Sequence, residues 1–71
     1  MKRDRKAIAQ SAYYMARLRD RIAAATSAQD IADIIGEAPN GTCQLNAMDA
    51  ASAAGYPCEY YANGVRVYPK A

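Results

Sequence analysis

The side chains best placed to do chemistry in this chain are cations. Lys2, Arg3, Arg5, Lys6, Arg17, Arg19 and Arg21 crowd into the first 22 residues with only Asp4 and Asp20 against them. Residues 23–71 reverse the sign, with Asp30, Asp33, Glu37, Asp49 and Glu59 against Arg66 and Lys70. The net charge of +2 thus conceals a basic segment joined to an acidic one. Cations concentrated in this way neutralise a polyanion, nucleic acid above all, although an ordinary solvated helix face uses the same residues. Residues two apart on a helix point to different sides, so Arg17, Arg19 and Arg21 do not form one clamp. Lys2, Arg3, Arg5 and Lys6 make the denser electrostatic footprint.

Other chemistries lack their residues. With no His and only Cys43 and Cys58, the ligand set of a zinc site is missing. A Ser or Cys nucleophile has no base to activate it. The carboxylates stand singly, and no Gly-rich phosphate loop occurs. The reading is a non-enzymatic protein with no cofactor and no metal. Two cysteines with no signal peptide before them point to a reducing, cytoplasmic setting. They read as two small buried thiols, or as a bridge should the start of the third helix meet the hairpin. No run approaches the roughly 18 apolar residues of a membrane span.

The elements that position these groups must fit in 71 residues, enough for one domain and one modest core. Alanine supplies much of the 52% apolar fraction, Phe and Trp are absent, and six Tyr carry the aromatic surface. Ile8, Ala12, Met15, Leu18, Ile22 and Ala25 recur at steps of three and four, which predicts a helix from about Asp4 to Ala25 with that stripe inward. Residues 1–12 of so long a helix read as a projecting basic arm or as a homodimer surface. Of Tyr13 and Tyr14 in its middle, one should cover the core edge and the other meet a partner.

Thr26 or Ser27 can cap a second helix, with Ile31, Ile34 and Ile35 buried and Gly36 closing it in the left-handed conformation. Ala38-Pro39-Asn40-Gly41 reads as a turn. Thr42 then caps a third helix whose inward face is Leu45, Met48 and Ala51, ended by Gly55-Tyr56-Pro57. Beyond it the period changes to two. Cys58, Tyr60, Val65 and Val67 alternate with Glu59, Tyr61, Arg66 and Tyr68 around Asn63-Gly64, a strong hairpin signal. A two-residue Asn63-Gly64 loop would set Tyr60 against Val67 on the core side, Tyr61 against Arg66, and Glu59 against Tyr68. The predicted fold class is α+β, three helices followed by a C-terminal β-hairpin, over a single domain 1–71.

This order, with its Ala53-Ala54-Gly55-Tyr56-Pro57-Cys58-Glu59-Tyr60-Tyr61-Ala62-Asn63-Gly64-Val65-Arg66-Val67 stretch, resembles the winged helix-turn-helix of small bacterial or phage transcriptional regulators over residues 15–68. The resemblance implies that the third helix occupies the recognition position, with Thr42, Gln44 and Asn46 toward a major groove. It also implies that Arg66, flanked by Tyr61 and Tyr68, is the wing contact. The chain departs from that pattern in having no Lys or Arg between Ile22 and Val65, where phosphate neutralisation normally supplies much of the affinity.

Two functions follow as expectations. One is a DNA-binding regulator whose contacts to double-stranded DNA come from Lys2, Arg3, Arg5, Lys6, Arg17, Arg21, the third helix and Arg66. The other is a protein-binding module using the third helix and the tyrosine wing. In size and style it is similar to phage accessory proteins such as anti-CRISPR inhibitors of host defence complexes.

Overall fold

In the computed structural model, which describes residues 5–70, the chain runs α1 (Arg5–Ala24), α2 (Ala28–Gly36), α3 (Gly41–Ala53), β1 (Cys58–Tyr61) and β2 (Gly64–Val67). The two strands pair antiparallel. This is the α+β order that the periodicities predict.

Side chains satisfy unpaired donors where α2 and α3 begin. Ser27, in extended conformation, caps α2 by accepting from the Asp30 N–H, and Asp30 reaches back to accept from the Thr26 N–H at 3.0 Å. This reciprocal arrangement is close to a capping box. The cap of α3 is Asn40, whose Oδ1 accepts from the Cys43 N–H at 2.9 Å. The expected cap, Thr42, instead lies inside the first turn: once Asn40 takes the extended conformation, Gly41 is already helical. Gly36 likewise does not close α2 in a left-handed conformation. Glu37 follows it in right-handed geometry, and positive φ is confined to Gly55 and Gly64 among the described residues. Gly55, at φ 102°, terminates α3 with the Tyr56 N–H on the Ala51 carbonyl and its own N–H on Ser52, the paired bonds of a Schellman motif.

The core comprises Tyr14, Leu18, Ile22, Ile31, Ile34, Ile35, Cys43, Ala47, Ala51 and Tyr56. β2 lies against α2, β1 reaches α3, and Val65, Val67 and Cys58 cover the core edge. Of the two central tyrosines, one is buried as expected: it is Tyr14, and Tyr13 is exposed. Three expectations about facing fail. Ile8 is 50% exposed because α3 lies mainly beside the second half of α1, and Met15, at the edge of the groove between the two helices, is still 37% exposed. On α3 the inward face is Cys43, Ala47 and Ala51, leaving Leu45 56% exposed and Met48 half-buried. Small side chains turn inward there because α3 must lie close to both other helices. Tyr60 sits near the hairpin tip beside the start of α3 and is 64% exposed.

The hairpin register also differs. Cys58 pairs with Val67, Glu59 with Arg66, Tyr60 with Val65 and Tyr61 with Gly64. The loop is Ala62-Asn63, and neither residue has positive φ. A primed turn centred on Asn63-Gly64 would need it at both central positions. The turn is completed instead by Gly64 at φ 141°. The shift relative to expectation is two residues, an even number, so every side chain keeps its predicted face.

Candidate recognition face

The candidate residues fall on three separate surfaces. Arg5 and Lys6 are exposed in the first turn of α1; Lys2 and Arg3 lie outside the described residues. Arg17 and Arg21, four apart, share the side of α1 that faces the end of α2. Arg17 Nη1 donates to the Tyr13 hydroxyl at 2.8 Å, with its guanidinium 5.3 Å from the ring centroid. Arg21 Nη2 donates to Glu37 Oε2 at 2.6 Å. That hydrogen bond holds the Glu37 carboxyl below the usual glutamate range and raises Arg21 further. Both cations are thus engaged within the chain. Arg19 points elsewhere, to the groove between α1 and α3.

The second surface is the outer face of the hairpin. Glu59 and Arg66 are cross-strand partners, and the Arg66 guanidinium stands 5.6 Å from the Tyr61 ring centroid. The Tyr61 hydroxyl donates to the Glu59 carboxylate and lies 3.5 Å from the Tyr68 hydroxyl. Hydrogen bonding to Glu59, then to Tyr68, pushes the Tyr61 phenol well above its ordinary range. The result is a Tyr/Arg/Glu surface as expected, with Arg66 stacked and opposite an acid.

The third surface is the start of α3. Thr42 and Asn46 are exposed and Gln44 is half-buried. Thr42, Gln44 and Leu45 form a shallow concavity with Gly41 and Tyr60. None of these five residues is charged, and the next exposed side chains along the helix include Asp49. Asn46 Nδ2 turns toward Met15 Sδ at 3.9 Å. Leu45 and Tyr60 went unnoticed as site residues because their apolar character assigns them to the core. The signal that could have found them is the Cys43, Ala47, Ala51 series, which places a small-residue stripe, and hence close helix packing, on the opposite side of α3.

Cys43 is buried, Cys58 is half-buried, and both are free thiols. Burial raises the Cys58 pKa. No helix among the described residues is long and apolar enough to cross a membrane. No protein-family model, curated protein or solved structure matches this chain.

Proposed function

We propose that this chain is a small non-enzymatic recognition module that grips another protein with the start of α3 and the tyrosine wing. The carrying observation is the uncharged concavity at Thr42, Leu45 and Tyr60, which exposes two large apolar side chains in the place where a DNA reader would present cations. Interface cores favour aromatic and aliphatic side chains and exclude charge. Tyr61 and Arg66, residue types enriched among binding hot spots, stand on the same hairpin. A phage-encoded inhibitor of a host defence complex, working in the cytoplasm, is the kind of module this reading fits.

A second reading is favoured by the element order and by Arg5 and Lys6 at the exposed start of α1: a winged-helix regulator holding double-stranded DNA through α1 and Arg66. The two separate in one experiment, binding of the purified chain to a generic duplex at low and at physiological salt. The protein-module reading expects no binding at either. Tight binding that falls steeply with salt, and that is weakened by Arg5→Ala with Lys6→Ala, would overturn it in favour of DNA. In the protein-module case, a partner retained by the wild-type chain is lost with Leu45→Arg and kept with Arg5→Ala.

A further inference from the structure

We infer that α1 carries a self-complementary surface for a second copy of this chain, packed antiparallel with Met15 at the two-fold axis.

The observation is an apolar seam that the fold uses only in part. Ile8, Met15 and Ile22 recur every seven residues, so they line one side of α1 with little drift. Ile22 is 5% exposed and belongs to the core, whereas Ile8 and Met15 remain open to solvent. Beside the covered half of the seam runs a groove between α1 and α3 of about 640 Å³, its walls including Met15, Leu18, Ile22, Ala23, Ala50 and Ala54. One half of α1 therefore presents an unburied knob and the other half an unfilled groove, apolar apart from Arg19 and Asn46 in its walls.

The spacing makes the two match. Ile8 is seven residues before Met15 and Ile22 seven after it. Two α1 helices running in opposite directions through a two-fold axis at Met15 bring Ile8 of each copy level with Ile22 of the other, over the groove. Both knobs meet both holes, as an isologous two-fold interface requires.

Charge selects the antiparallel sense. A parallel pair would set Arg5 and Lys6 of one copy beside those of the other, with Lys2 and Arg3 preceding them in each chain. The antiparallel pair separates these cations and places Arg5 level with residue 25 of the opposite copy. There the carbonyls that end α1 carry the negative end of the helix dipole.

Area supports an interface of this kind. The chain measures 44 × 28 × 16 Å and exposes 5217 Å², against about 4300 Å² for a compact protein of its mass. An elongated chain of this kind has surface to spare for the roughly 800 Å² that each partner contributes to a standard interface. The surface adjoins the α3 face but does not use Leu45 or Tyr60, so it stands whether that face takes protein or DNA.

The test is the solution mass of the full chain from micromolar to millimolar concentration, joined to disulfide trapping in a Cys58→Ser background, where buried Cys43 does not interfere. A dimer is expected. Met15→Cys should cross-link with itself under mild oxidation. Ile8→Cys should not, because two copies of residue 8 stand about 21 Å apart along the paired helices. Ile8→Asp, at an exposed position, should raise the dimer dissociation constant about a hundredfold with helical circular dichroism retained. A monomer throughout the range would overturn the inference. So would a dimer in which Ile8→Cys cross-links, which is parallel, or one in which Met15→Cys does not, which uses another face.

Discussion

The Tyr14 hydroxyl donates a 2.6 Å hydrogen bond to the main-chain carbonyl of Ile34, joining the middle of α1 to the last turn of α2. The ring is 7% exposed among Leu18, Ile31 and the other core residues, and burial raises the phenol's pKa. In a core without Phe or Trp, this side chain is both the large apolar filler and the polar tie. Tyr14→Phe removes only the tie and should cost about 1 kcal/mol in urea unfolding. Tyr14→Ala also opens a cavity, with a cost of about 3–5 kcal/mol. That is comparable to the whole stability of a domain this size, so the Ala variant should have no cooperative transition. Equal costs for the two variants would show that the hydroxyl, not the ring, dominates.

The two candidates for the α3 cap separate just as cleanly. Asn40 accepts from the Cys43 N–H and its Nδ2 donates to Ser11 Oγ at 2.8 Å, so it both starts α3 and fastens that start to α1. Asn40→Ala should lower stability by about 1 kcal/mol. Thr42→Ala, at an exposed position within the first turn, should stay within about 0.5 kcal/mol of wild type. The reverse ranking in thermal or urea unfolding would put the cap where the sequence pattern placed it.

The element order was legible because its punctuation is chemical: Ser27 before α2, Gly55-Tyr56-Pro57 after α3, and a switch to period two at Cys58. Which way α3 faces was not legible, because hydrophobicity ranks Leu45 above Cys43 and Ala47, while the closeness of the helices admits only the smaller side chains. The same limit hid the proposed recognition face, since Leu45 and Tyr60 are residue types expected inside. Ile8 and Met15 follow the core periodicity faithfully, yet α3 lies beside the later part of α1, leaving Ile8 uncovered and only bordering Met15. Periodicity reports which side of a helix is apolar and not what lies against it. In the hairpin, the Asn63-Gly64 signal located the turn to within a residue but not the register, which depends on backbone dihedrals that Ala62 and Asn63 each adopt.

Two glycines that read alike in sequence should respond in opposite directions to alanine. Gly36 ends α2 without positive φ, and a Cβ there would meet nothing within 4 Å. Gly36→Ala should therefore stabilise the chain by about 0.5–1 kcal/mol, through helix propensity and a less flexible unfolded state. Gly55 holds φ at 102°, and a Cβ there would lie 3.1 Å from Lys70 Cε. The lysine side chain can give way but the backbone cannot, so Gly55→Ala should cost about 1–2 kcal/mol. A stabilising Gly55→Ala would mean that α3 does not end in the left-handed turn.

The Arg21–Glu37 pair gives the chain a specific acid response. The hydrogen bond from Arg21 sets the folded-state pKa of Glu37 below its unfolded value. A carboxyl depressed in this way adds stability that is present above its unfolded pKa, about 4.3, and is lost as pH falls through the lower folded value. Asp30 acts in the same direction, chiefly through the Thr26 N–H. Both groups are solvated, so each contribution is small. The distinguishing variable is salt: the Arg21–Glu37 attraction is between exposed charges and is screened, while the N–H bond to Asp30 belongs to the α2 cap and persists. In an NMR titration Glu37 should respond below an ordinary glutamate, and Arg21→Ala should return it toward that value without moving Asp30. In unfolding measured from neutral pH into acid, Arg21→Ala should shallow the acid limb at low salt and match wild type at high salt. A Glu37 that titrates alike with and without Arg21 would show that the two side chains do not remain paired in solution.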